Sequence, residues 1–155
     1  MNHIFRFFIF TGIVLFASCS NDPSEKKEIS SETTENHTHP EVLPNLKLNN
    51  NQKWKVDEST SNSIVQMQQK VELYEVEKNK TLSGYVELGQ KLQKDIDSLI
   101  QNCTMTGPNH EALHQWLHPF SEETLGLAKS TTNEEGHEYF EKIDAMLHKY
   151  YEYFE

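Results

Sequence analysis

Apolar residues recur at three-and-four spacing along four separate stretches of this chain, and no other feature narrows its fold so far. Ile64, Met67, Val71 and Tyr74 form one stripe, and Tyr85, Leu88, Leu92, Ile96, Leu99 and Cys103 form a second. Leu113, Trp116, Leu117 and Phe120 make a third that extends toward Leu127, while Phe140, Ile143, Leu147, Tyr150 and Phe154 keep heptad spacing through a fourth. Residues three and four apart share one face of a helix, so each stretch reads as an amphipathic helix with one apolar face to bury. Ser and Thr residues ahead of Ile64 are suited to capping the first helix. Asn79-Lys80-Thr81 and then Gly84 mark the break before the second. Gly107-Pro108 closes the next connection, with Pro108 suited to a first helical position. Thr132 followed by Glu135 has the spacing of a capping box. Pro119 lacks a backbone donor and is expected to kink or restart the third helix. Helices of roughly 18–23 residues with short links predict an all-α, up-down-up-down four-helix bundle over residues 46–155.

What precedes the helices has a different character. Arg6 and the apolar run Phe7–Phe16, followed by the small residues Ala17 and Ser18, have the layout of a secretory signal over residues 1–18. The run is only about ten residues, too short for a helix to cross a bilayer core of roughly 30 Å. It ends in Phe16-Ala17-Ser18-Cys19, which resembles the lipobox of bacterial lipoproteins, apart from Phe16 where Leu is usual. The resemblance implies cleavage before Cys19 and acylation of its thiol, and hence anchoring to a bacterial membrane, on the periplasmic or outer-membrane side. Residues 19–45 then read as a flexible tether, because Ser, Glu, Thr, Lys and Asn offer too little apolar surface to offset ordering entropy. His37 and His39 sit in it, and solvated linker residues are the simpler reading of that pair. From Leu43 to Val56 the prolines at 40 and 44 and the turn signal Asn49-Asn50-Asn51 predict an irregular segment that packs Trp54 against the end of the bundle.

Charge and cysteine content exclude some functions. The chain carries a formal net charge of −10, and its sole arginine, Arg6, would leave with the signal. A protein this acidic, without guanidinium forks, is repelled by phosphate backbones, which argues against nucleic-acid binding. Metal cations and basic protein partners in the envelope remain compatible. Of the two cysteines, lipidation would consume Cys19. Cys103 is then a lone thiol in an oxidising compartment: buried, paired with another chain, or bound to metal.

The segment from Cys103 to His114 concentrates the donors. Cys103 closes the second apolar stripe and Met105 lies in the following turn. His110 and His114 are four apart, one helical turn, on the face shared with Leu113 and Leu117. A thiolate, a thioether and two imidazoles suit Cu(I), and less well Zn(II). An antiparallel bundle brings the last turns of the fourth helix to the same end, which makes His148 a candidate fifth ligand. The competing reading is a buried small thiol, a gap-filling Met and rim histidines, in a ligand-free structural or interaction module. His110-Glu111-Ala112-Leu113-His114 also satisfies H-E-x-x-H, the zinc-peptidase pattern. The longer pattern fails, because Leu117 stands where Gly is required and Phe120 where His is required. Noncovalent haem would need a His or Met at mid-bundle, and the candidates gather at one end instead.

A further resemblance rests on Leu48-Asn49-Asn50, Lys53-Trp54-Lys55-Val56-Asp57, Cys103-Thr104-Met105-Thr106-Gly107, His110, Leu113-His114, Trp116-Leu117 and Pro119. In these the chain resembles a group of small uncharacterised lipoproteins of Bacteroidota-type bacteria, over roughly residues 46–155. The resemblance implies a helical envelope protein and no particular activity. The expectation from the residues is a lipid-anchored protein that binds a soft metal ion, copper first, through Cys103, Met105, His110, His114 and His148. It would serve as a buffer or an efflux accessory.

Overall fold

The structure, a computed structural model, describes Leu43 and residues 46–155. The export signal, Cys19 and the tether histidines His37 and His39 lie outside the described residues. The expected four helices are present: α1 Glu58–Glu75, α2 Leu82–Asn102, α3 Pro108–Ala128 and α4 Asn133–Tyr153. Links of a few residues make chain neighbours run antiparallel, giving the all-α four-helix bundle. Each helix packs on the next, α1 touches α4, and α2 also meets α4 across the bundle, whereas α1 and α3 stay apart. No helix among the described residues is long and apolar enough to cross a membrane.

Caps fix where the helices begin. Thr81 opens α2 by accepting from the Gly84 N–H, and Thr132 opens α4 by accepting from the Glu135 N–H at 3.1 Å. The second half of the expected capping box shifts by one residue, since the Glu135 carboxylate takes the Thr131 N–H and hydroxyl, each at 2.8 Å. For α1 the expectation fails: the cap is Asp57, whose carboxylate accepts the Thr60 N–H at 2.8 Å. Pro119 does not interrupt α3, which runs on to Ala128. The burial of Trp116, Phe120 and Leu127 on either side of it, at roughly 1.5–3 kcal/mol for each large side chain, offsets the one backbone bond a proline forfeits.

All four stripes face inward. Ile64, Met67, Leu92, Ile96, Leu113, Trp116, Phe120, Phe140 and Ile143 are buried in one continuous core. Trp116 brings a polar N–H with it and satisfies it on the Met146 carbonyl at 3.0 Å, as a buried indole requires. Gly89 sets the approach of α2 to α3, because a Cβ there would run into the backbone of Ala128.

Before α1 the described residues 46–57 form only isolated bridges, and Trp54 packs against the end of the bundle as expected. Trp54 and Val56 pair with the end of α4: the Trp54 N–H donates to the Tyr153 carbonyl at 2.7 Å, and the Glu155 N–H to the Trp54 carbonyl at 2.9 Å. Asn50 and Asn51 adopt φ of 52° and 65°, making the turn that Asn49-Asn50-Asn51 signals. Leu43 and Leu46 are buried in the core. One end of the bundle, hereafter the base, therefore gathers this segment, the start of α1, the α2–α3 connection and the end of α4.

Candidate metal-binding corner between α2 and α3

The α2–α3 connection is short, and its backbone is held from outside. Cys103 leaves α2 in an extended conformation (φ −66°, ψ 123°). Gly107, at φ 67° and ψ −154°, then turns the chain so that Pro108 can start α3. That region of backbone space is open essentially to glycine alone. The Asp57 carboxylate takes the Thr104 N–H and the Thr104 hydroxyl, each at 2.8 Å, with the oxygen not used to cap α1. Asn109 donates from its side chain to the Lys55 carbonyl at 2.9 Å. The stretch Lys55–Asp57 thus clamps the corner on both sides. Burial pushes the Asp57 carboxyl up, but the hydrogen bonds from Thr60 and Thr104 together outweigh it and hold the group well below the ordinary carboxylate range.

On this frame α3 presents His110 and His114 one turn apart. Their Nε2 atoms are 3.0 Å from each other, and the ring centroids are 4.5 Å apart at 70°. The contact is within hydrogen-bond distance, with either ring nitrogen able to be the donor. The same separation suits a shared ion. Two nitrogens each about 2.0–2.1 Å from a metal and 3.0 Å from one another subtend an angle slightly above 90°. Cys103, half-buried and free, borders the same small cavity as the two rings, closed on the α2 side by Leu99 and on the α3 side by Leu113 and Leu117. Its volume of about 30 Å³ matches one water, against roughly 300–1,000 Å³ for sites that take organic ligands.

The other two candidate ligands point elsewhere. The Met105 thioether meets the buried Thr60 hydroxyl at 3.7 Å, on the α1 side of the connection. His148 is exposed on α4, where its Nδ1 lies 3.0 Å from the Asp144 carbonyl and 3.4 Å from the Asp144 carboxylate. That backbone contact, and next the Asp144 charge, push its imidazole up from the ordinary value, with Glu72 and Glu75 of α1 adding to the effect. The five expected donors therefore reduce to Cys103, His110 and His114 around one cavity. Among the described residues no three His, Cys, Asp or Glu side chains stand grouped as a metal site.

Glu111, the would-be base of the H-E-x-x-H reading, is exposed beside Trp54 and Lys47 along a shallow groove. Glu134 and Glu135, carboxylates that follow the H-E-x-x-H motif along the chain, open α4 at the other end of the bundle. Sequence reasoning missed two residues of this region. Asp57 stood in the sequence as part of the resemblance, with no sign of its cap on α1 or its bonds to Thr104. His118 was legible in the repeat His110, His114, His118, which continues the row along α3. Comparison with family models, with curated proteins and with solved structures finds no match to this chain.

Proposed function

We propose that this chain is a lipid-anchored envelope protein that holds a soft metal ion, copper foremost, at the α2–α3 corner, as a buffer or an efflux accessory. The observation that carries the reading is the His110–His114 pair, 3.0 Å apart at Nε2, on a cavity that Cys103 also borders. Two imidazoles and a thiolate suit Cu(I), with Zn(II) second. Metal binding would supply free energy to bring the Cys103 thiol into the set. Anchoring rests on Phe16-Ala17-Ser18-Cys19.

A competition titration of the purified full-length protein with Cu(I), under reducing conditions, tests the site. Replacing Cys103 or His114 with Ala is expected to weaken binding by at least about tenfold. An affinity that neither substitution changes refutes it. Mass spectrometry of membrane-fraction protein tests the anchor, which predicts a mature chain that starts at an acylated Cys19 and is lost with Cys19→Ser.

The second reading is a ligand-free structural or interaction module. It is favoured by the lack of a ready-made three-donor group among the described residues. In that case Cys103→Ser and His110→Ala change stability and leave the metal content of protein isolated from its envelope at background.

A further inference from the structure

The row begun by His110 and His114 continues outward. His118 and Glu122 follow at the same four-residue interval, each step rising about 6 Å along α3. His118 Nδ1 stands 3.4 Å from the Glu122 carboxylate, and the two side chains are 76% and 69% exposed. We infer that His118 and Glu122 form a second metal-binding pair, for a borderline divalent cation such as zinc or nickel.

Geometry and competition for the donor atoms carry this inference. A nitrogen and an oxygen 3.4 Å apart, each about 2.0–2.1 Å from one ion, subtend roughly 110°, the tetrahedral angle. His137 and His148 also lie one turn from a carboxylate, but the Nδ1 atom that faces it has a further contact in each. His148 Nδ1 is engaged by the Asp144 carbonyl at 3.0 Å. His137 Nδ1 lies 3.8 Å from Glu141 and 3.5 Å from the Tyr85 hydroxyl. His118 has Glu122 alone among the described residues. An imidazole with a carboxylate is also a harder set than the thiol and imidazoles of the corner, so it selects a different class of ion. Water completes the coordination in this open position, which makes the ion exchangeable. The acidic charge of the whole chain favours its arrival.

The pair lies one helical step beyond His114, and the Glu122 variant, which leaves the corner untouched, tells the two sites apart. Paramagnetic Ni²⁺ is titrated into the full-length protein while the assigned imidazole proton signals are followed by NMR. The His118 signals are expected to broaden well before those of His137 and His148. Glu122→Gln should shift the His118 midpoint to at least about tenfold higher Ni²⁺, with the response of His110 and His114 unchanged. Both side chains are solvent-exposed, so the fold tolerates this substitution. The inference is overturned if His118 responds no earlier than His137 and His148, or if Glu122→Gln leaves its midpoint in place. Either result stands whether or not the corner binds copper.

Discussion

Replacing Asp57 with Ala removes one carboxylate and three hydrogen bonds: the α1 cap on the Thr60 N–H and the two bonds to Thr104, all at 2.8 Å. Loss of an N-cap costs about 1 kcal/mol. A hydrogen bond to a charged acceptor contributes about 1.5–3 kcal/mol. The Thr104 donors are exposed, so water recovers part of what they lose, and the whole substitution should cost about 2–3 kcal/mol. For a domain near 100 residues, that lowers Tm by roughly 8–15 °C. Asp57→Ser keeps a cap and cannot reach Thr104, so it should restore about 1 kcal/mol of the loss. Urea unfolding followed by circular dichroism measures both. Acid supplies a second readout. The Asp57 carboxyl is depressed in the folded state relative to its ordinary value of 3.8. Its stabilisation is therefore complete above that value and lost as pH falls from there through the native one. The difference between wild type and Asp57→Ala should be flat from about pH 5 to 8 and shrink below about pH 4. If Asp57→Ala lies within about 0.5 kcal/mol of wild type at neutral pH, the range of an ordinary surface change, the clamp argument is wrong.

Three further substitutions probe the rest of the structure. Gly107→Ala places a Cβ on a backbone at φ 67° and ψ −154°; it should cost about 1–3 kcal/mol in chemical denaturation and weaken Cu(I) uptake at the corner. The Tyr150 hydroxyl is buried without a hydrogen-bond partner among the described residues, so Tyr150→Phe should be neutral or stabilise by about 1 kcal/mol. A clear loss of stability there would reveal a partner the hydroxyl depends on. His148 is raised above its ordinary value, so its contribution is fully present below the unfolded imidazole range and is lost as pH rises through the folded value. At this exposed position His148→Ala should cost no more than about 0.5 kcal/mol, with a larger thermal shift at pH 5.5 than at pH 8.5.

The position of the corner sets what it can do. Its residues sit at the junction of α2 and α3, where Leu99, Leu113 and Leu117 are buried and His110 and His114 contact each other. Cys103 follows the last residue of α2 and has a connection of a few residues through which to adjust. Under the proposed reading, two rings already in contact and a thiol at the start of a short connection would suit an ion that must be released again.

The sequence alone determined the number and inward faces of the helices, because the three-and-four repeat of apolar residues is a local property with one simple way to be buried. Pro108 as the first residue of α3 and Thr132 as the cap of α4 were legible for the same reason, since each acts within one turn. Tertiary structure decided the rest. Asp57 and Thr104 are 47 positions apart, and no spacing rule announces that one carboxylate will cap α1 and hold the α2–α3 turn. Met105 and His148 carry the right chemistry at the right end of the bundle, yet Thr60 and Asp144 take their donor atoms. Pro119 carries a breaker's signature, and packing on either side of it keeps α3 whole. Spacing along a chain reports which side chains share a helix face. Which of them meet across helices depends on rotation and packing that only the assembled core sets.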